Sequence, residues 1–537
     1  MTDFVFPPWA RCSNAQYTAV SNTGVSRSVF TGATRSIGRT GDRLLVSFNV
    51  LGASDRAGSA ERAAVRAVRL ALRGQGNRLF WGDPSYAARG SFPDGELLQN
   101  YQFLQGTTGW TAGATGGSDL SAISASDNVL RILRVDASPV PQAYQTVACI
   151  QYAPYVARAH GMNGRGNPPR MQLIDGTYVG GGVSTLALGP GMIIASLVPL
   201  NTQATIGLYS SSGDGAYFPG DYNEYPYASL TRCILSDGGG NAVQFSDQLD
   251  NAAWTKAALG VTANATNAPD GTATADALIP TTASSQHSIA QSVTGAAQGT
   301  DWSVCGAFKA DGYNFVALQI LEASGSTVVN QTFNLNTGAI GATANTGAGW
   351  SNRRAFISSL GNGWYYCCLV AHKGSGTGTV TPAALSCSTD SVANFAGNGT
   401  SGTFGWRLTF AQSSVPQRLV ASTTAVNASA QATGAIYVKG LPASTNGLLL
   451  PGDIIQSGNE INCAISALNS DAAGLGYLAL YRPFKNAPAD DSPIIVTRPM
   501  GRFVLTANDQ SQGNTHWQDS PGIFTDYTFE IEEALDV

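Results

Sequence analysis

Several features common in soluble proteins are scarce in this chain of 537 residues. Charged residues make up only 12% of it, roughly half of the usual quarter. No cluster of lysine or arginine dominates any segment, and the net charge is −5, so the composition gives no sign of nucleic-acid binding. The longest apolar stretch, Met192–Leu200, is far too short to span a bilayer. No basic segment followed by an apolar one opens the chain, so we expect no signal peptide, no membrane insertion and synthesis in a cytoplasm.

Motifs for metal binding and catalysis are also missing. The eight cysteines include no CxxC pair, which excludes zinc-knuckle spacing and favours reduced cysteines packed as small hydrophobic residues. The four histidines are scattered, and we find no G-x-S-x-G elbow or Walker A loop. Two pairs of acidic residues, Asp221 with Glu224 and Asp490 with Asp491, would meet across a groove only by chance. The sequence therefore predicts a protein that is not an enzyme.

The residues that are present indicate a large, β-rich protein. A chain of this length exceeds one hydrophobic core and predicts three or four units. Apolar alternation with Pro and Gly punctuation is typical of antiparallel strands. The single convincing helix runs through SAERAAVRAVRLALRG, with Ser59 as N-cap and Gly74 just after its end. The fold class predicted is all-β: multi-domain β-sandwiches, with this short helix in the N-terminal part of a discontinuous scaffold domain.

A weak internal repeat occupies the middle of the chain. One copy opens with NYQFLQGTTGW and the other with SDQLDNAAW. The tryptophan and a later glutamine are 35 residues apart in the first copy (Trp110, Gln145) and 37 in the second (Trp254, Gln291). Each copy closes on a similar arginine-bearing segment, SLTRCIL and PQRLVAS, which we expect to be strands. The repeat predicts two sandwiches of one family.

The two ends of the chain resemble parts of one phage domain. Residues 72–84, LRGQGNRLFWGDP, resemble a signature of siphophage proteins related to the distal tail ring, and LPGDIIQ with the later RPF and SPII segments resembles the rest of that domain. These blocks lie about 340 residues apart here, so the resemblance implies an insertion at an exposed loop that leaves the host core intact. The scaffold domain would comprise residues 1–96 plus 430–537.

The middle of the chain contains the segments SDQLDNAAW, APDGTATAD and GNGWY in residues 240–425. These segments resemble carbohydrate-binding-like modules of phage tails, and residues 97–235 match them more loosely. The resemblance implies two inserted β-sandwiches, 97–235 and 236–429, that extend outward from a ring.

Candidate site residues follow from chemistry. A sugar site needs aromatic rings, and we select Trp364, Tyr366 and Tyr313, although strand alternation does not say which face meets solvent. Asp270 and Asp276 would either bind a structural calcium ion or cap a turn around Gly271. A row of helical arginines would be either a solvated face or an inter-subunit ring contact: Arg62, Arg66, Arg69 and Arg73.

Together these resemblances imply a distal-tail-type ring subunit of a virion tail tip. We expect a homo-oligomer, a hexameric ring, between the tail tube and the baseplate hub, whose inserted modules bind host cell-surface glycan weakly. We expect no cofactor other than the structural calcium ion considered for Asp270 and Asp276. The alternatives are a receptor-binding tail fibre, a polysaccharide-degrading tail enzyme, or modules that act only as spacers or docking sites for side fibres.

Overall fold

The fold is all-β, as the sequence predicts. A computed structural model describes residues 3–6, 12–20, 23–27, 34–38, 42–50, 65, 68–83, 86–93, 95–115, 122–126, 129–133, 140–166, 168–175, 181–185, 191–210, 221–322, 327–392, 394–425, 431, 434–507, 514–517 and 523–534. These residues form two sheets from the chain termini, called the terminal unit, and two β-sandwiches, called module 1 and module 2.

The first terminal sheet interleaves strands from both ends of the chain. Gly501–Leu505 lies between Arg78–Trp81 and Ile523–Glu533, and the latter pairs with Arg43–Val50. Its core stacks Phe48 between Trp81 and Phe529, at centroid distances of 4.6 and 5.2 Å. Its remaining strands, and a separate two-stranded hairpin, are Asp3–Val5, Cys12–Val20 and Asn514–Trp517, with Thr23–Arg27 and Thr34–Gly38.

The helix of the terminal unit ends within one residue of the position that its sequence predicts. Residues 65 and 68–72 are helical, but Arg73 has a left-handed φ of 50°, and Gly74–Gly76 forms a 3-10 turn. Arg69 is buried, donates to the Thr528 carbonyl at 2.7 Å and lies over the Phe529 ring. Arg69 therefore holds this unit together internally, which corrects its assignment to an exposed arginine row. Arg73 is exposed, and Arg62, Arg66 and Ser59 fall outside the described residues.

The second terminal sheet contains a strand that the sequence analysis assigned to the inserted region. Ile234–Ser236, which links the two modules, pairs with Ala435–Lys439 on one side and Pro493–Ile495 on the other. The remaining strands of this sheet are Ile454–Ser457, Glu460–Cys463 and Gly476–Ala479. Ile234 is fully buried in its core. The inserted region thus contributes a central strand to its host, so the host core is not left intact without it.

Each module is a sandwich of two antiparallel sheets. We call the sheet that packs against other parts of the chain the inner sheet, and the other one the outer sheet. The inner sheet of module 1 contains Ala122–Ser126, Val129–Leu133, Tyr155–Arg165, Gly191–Leu197 and Tyr222–Arg232, and its outer sheet contains Thr111–Thr115, Val140–Ala148, Arg170–Ile174, Gly181–Thr185 and Gln203–Tyr209. The inner sheet of module 2 contains Leu259–Thr266, Ala275–Pro280, Thr300–Asp311, Trp350–Gly361, Trp364–Lys373 and Gly402–Gln412. Its outer sheet contains Thr255–Ala257, His287–Ala290, Val293–Thr294, Phe315–Glu322, Val328–Asn334, Ala339–Thr346 and Thr379–Cys387, and Ser284–Ser285 pairs with Phe395–Ala396 beside it.

The internal repeat has a structural counterpart in a glutamine bracket. In module 1 the Gln145 amide accepts from the Gln99 N–H at 2.6 Å and donates to the Gln99 carbonyl at 3.1 Å. In module 2 the Gln291 amide does the same with the backbone of Gln244, at 2.7 and 3.2 Å. A side-chain amide that pairs with both backbone groups acts as an extra strand residue, and it secures the start of each module. The PQRLVAS segment, however, is not a strand.

The outer faces of both inner sheets pack against other parts of the chain. Arg158 of module 1 is fully buried and donates to the carbonyls of Thr497 and Arg498, both at 2.9 Å. In module 2 the outer face of the inner sheet packs against Leu419 and Ala473. The modules are therefore docked on the terminal unit.

One pair of cysteines is joined, contrary to the expectation of reduced thiols. Cys305 and Cys368 lie directly opposite each other on adjacent strands and form a disulfide. The neighbouring Cys367 points to the opposite face, into the core of module 2. Cross-strand register brings the first two together, which sequence spacing does not reveal because they are 63 residues apart.

Candidate functional site

The aromatic residues selected from the sequence do not form an exposed platform. Trp364 and Tyr366 are 1% and 3% exposed. The Trp364 Nε1 donates to the Asn267 carbonyl at 3.1 Å, and the Tyr366 hydroxyl donates to the Gln417 carbonyl at 2.7 Å. These two rings cannot stack on a sugar, because the segment that follows the last strand of module 2 covers their face. Tyr313 is half-buried and packs edge-on against another ring.

The two predicted calcium ligands have separate structural roles. Asp270 accepts from the Thr272 N–H at 3.0 Å in the turn around Gly271, and its pKa is lowered by the Thr272 hydroxyl. Asp276 accepts from two backbone N–H groups, those of Leu249 and Asn264, at 2.7 and 2.8 Å. Burial raises the pKa of Asp276 despite these bonds. Within the described residues, no group of three or more His, Cys, Asp or Glu side chains is arranged to hold a metal ion.

The acidic pairs considered for hydrolysis are each matched by cations. Asp221 lies 3.7 Å from Arg165, and Glu224 pairs with Arg131 at 2.5 Å. Asp490 and Asp491 both bind the buried ammonium of Lys439, at 2.9 and 2.8 Å. These carboxylates therefore serve as counter-ions to neighbouring cations.

A row of amides crosses the outer sheet of module 2. Gln319 lies directly opposite Asn330, which lies directly opposite Asn345 on the next strand. On its other side Gln319 faces Ala383, which faces Ala290. Residues directly opposite in an antiparallel sheet project to the same face. The row therefore presents three amides beside a floor of two small side chains; we call it the amide row.

Asn330 is the central residue of the amide row. It is only 4% exposed, and its Oδ1 is buried without a hydrogen-bond partner in the described part of the chain. A buried, unsatisfied amide oxygen costs roughly 1–3 kcal/mol, so natural structures rarely retain one without a reason. Gln319 is half-buried and Asn345 is exposed. Gln319 and Asn345 can thus donate and accept hydrogen bonds toward a ligand that lies across the sheet beside Asn330.

Strand alternation in the sequence indicates part of the amide row, which we did not find because we selected only aromatic residues as candidates for sugar binding. In Phe315–Glu322 the residues Val316, Leu318 and Ile320 enter the core, so Gln319 must point the other way. The opposition of Gln319 to Asn330 depends on strand register, which no local pattern gives.

Comparisons with known proteins give only distant likenesses. No protein-family model matches the chain, and no curated protein matches it. Among solved structures, a family 4 carbohydrate-binding module aligns at 11% identity and TM-score 0.21, over 25% of this chain and 99% of its own. A tandem pair of family 22 modules from Paenibacillus barcinonensis Xyn10C aligns at 12% identity and TM-score 0.20, over 61% of this chain and 100% of its own.

A phage protein is also among the similar structures. The enzymatically active domain of tailspike protein 4 from bacteriophage CBA120 aligns at 15% identity and TM-score 0.21, over 32% of this chain and 21% of its own. Scores of this size assign neither a ligand nor an activity. Among the described residues, no helix has the length and hydrophobicity needed to cross a membrane.

Proposed function

We propose that this chain is a structural and adhesive protein of a bacteriophage tail tip. Six copies of the terminal unit would form a distal-tail-type ring between the tail tube and the baseplate hub of the virion. The modules would bind host cell-surface glycan weakly. The amide row carries the adhesive part of this proposal, because its three amides lie side by side on one face of a sheet.

The ring part rests on the resemblance of the two chain ends and on their pairing within one sheet. A closed ring requires a head-to-tail interface that repeats around an axis. Such a ring would display each module in several copies, and multivalency multiplies avidity by about 10²–10⁴. A shallow polar face of modest affinity is therefore sufficient for attachment.

The glycan proposal is tested with Asn330→Ala in the full-length protein. Binding to host-envelope polysaccharide should fall by about fivefold to tenfold, since a lost hydrogen bond to a ligand is worth roughly 1 kcal/mol. The melting temperature should not fall, because Asn330 Oδ1 has no partner to lose within the described residues. Gln248→Ala, an exposed amide outside the row, is the matched control. Unchanged binding by Asn330→Ala would count against the amide row.

The ring proposal is tested by native mass spectrometry and particle imaging of the full-length protein. Closed hexamers are the expected species. Stable trimers would favour a tail fibre instead, and release of reducing ends from the polysaccharide would favour an enzyme.

A further inference from the structure

The outer sheet of module 1 has a row that matches the amide row position by position. In module 2 the cross-strand order is Thr255, Ala290, Ala383, Gln319. In module 1 the corresponding order is Thr111, Tyr144, Gly207, Gln172. The alignment is fixed independently by the glutamine brackets, because Gln145 follows Tyr144 just as Gln291 follows Ala290. A glutamine therefore occupies the same place on both outer sheets.

Tyr144 supplies the aromatic ring that the amide row of module 2 lacks. The ring is half-buried and leans over Gly113, since a Cβ atom at that glycine would lie only 2.9 Å from Tyr144 Cε1. Gly207, the next residue in the row, has no side chain of its own, and the Tyr209 ring lies against it, since a Cβ atom there would lie 3.1 Å from Tyr209 Cε2. On the side toward Thr111, away from Gln172, Tyr144 borders an open cleft of about 510 Å³, lined also by Thr146. Aromatic rings beside such clefts can stack on the C–H face of a pyranose.

Gln172 lies one strand beyond Gly207 in this row, is 8% exposed and is held in one orientation. Its Oε1 accepts from the Tyr209 hydroxyl at 2.8 Å, which fixes which end of the amide points inward. Its Nε2 has no hydrogen-bond partner in the part of the chain that the structure describes. A fixed donor loses little entropy when a ligand hydroxyl accepts from it.

We propose that module 1 carries a second glycan site, in which Tyr144 stacks on a pyranoside ring and Gln172 donates to one of its hydroxyls. This inference rests on the proposed glycan-binding function and extends it, since the chain would then hold one site on each of its two docked modules. Because both inner sheets pack inside the protein, both sites lie on the sheets that remain outward. One chain would engage two segments of a polysaccharide at once.

The test uses the full-length protein and four variants, with cellohexaose, xylohexaose and galactohexaose at millimolar concentration as probes in calorimetry. Tyr144→Ala should reduce the stoichiometry from two sites to one, and Tyr144→Ala with Asn330→Ala should weaken all binding at least tenfold. Tyr144→Phe retains the ring and should bind like the unmodified protein. Far-ultraviolet circular dichroism and melting curves establish that each variant is folded.

The outcomes separate this inference from the proposed function. Two sites in Tyr144→Ala, or loss of all binding in Asn330→Ala alone, would overturn the module 1 site and leave the module 2 site standing. Absence of binding by the unmodified protein, to these probes and to host-envelope polysaccharide alike, would overturn both. Reduced stoichiometry in Tyr144→Ala with retention in Tyr144→Phe supports the second site.

Discussion

Replacing Ile234 by alanine tests whether the segment between the modules is part of the terminal unit. Ile234 is 0% exposed and lies opposite Ile494 in the second terminal sheet. Truncation of a buried isoleucine to alanine costs about 2–5 kcal/mol through lost transfer energy and the cavity left behind. Whole domains are stable by only about 5–15 kcal/mol, so Ile234→Ala should remove a large part of the unfolding free energy. This is expected even though Ile234 lies outside the scaffold boundaries that the sequence predicts.

The assay is urea unfolding of the full-length protein followed by tryptophan fluorescence and circular dichroism. Ile465→Ala is the matched control, since Ile465 belongs to the same unit but is 56% exposed; its effect should stay within about 0.5 kcal/mol. Equal midpoints for the two variants would refute the assignment of Ile234 to the terminal core.

A pair of deletions extends the same reasoning. Removal of residues 97–429 with a short linker also removes Ile234–Ser236, and the backbone bonds from Ser236 to Ser492 and from Asp237 to Tyr437 are lost with it. We expect an unfolded product. Removal of residues 241–430 alone keeps that strand and should give a folded protein. A cooperative, native-like melt from the larger deletion would contradict the interlocked architecture.

Three further predictions concern other residues. Arg158→Met should destabilise the full-length protein by about 2–4 kcal/mol in urea unfolding, because the carbonyl of Thr497 and its neighbour lose their buried donor; an unchanged midpoint would argue against tight docking of module 1. Tyr366→Phe should cost about 1 kcal/mol through the lost bond to Gln417 and leave polysaccharide binding unchanged, so weaker binding would restore Tyr366 as a site residue. Burial raises the pKa of Asp491 to about 6, so its contribution to stability is full below about pH 4, where a free aspartate titrates, and is lost as pH rises through 6. The Asp491 side chain is 35% exposed, so the decrease of the melting temperature between pH 4 and 7 should be small. The melting temperature of Asp491→Asn should not show this decrease. An equal decrease in the variant and the unmodified protein would exclude Asp491 as its source.

Local pattern was enough to indicate the fold class and the duplication. Alternating apolar residues and frequent turn residues indicate strands by themselves, because successive side chains of a strand point to opposite faces. The glutamines of the repeat, Gln145 and Gln291, were visible as spacing alone. Both turned out to secure the start of a module through the same pair of backbone bonds.

Only the tertiary structure decided which faces meet solvent. Alternation places Trp364 and Tyr366 together on one side of a strand, but both sides of that strand are buried, because a distant segment covers one of them. The amide row depends on register among strands far apart in the chain, and Ile234–Ser236 joins a sheet whose other strands follow about 200 residues later. Sequence determines what each strand offers, whereas long-range pairing and docking determine what remains exposed to bind a ligand.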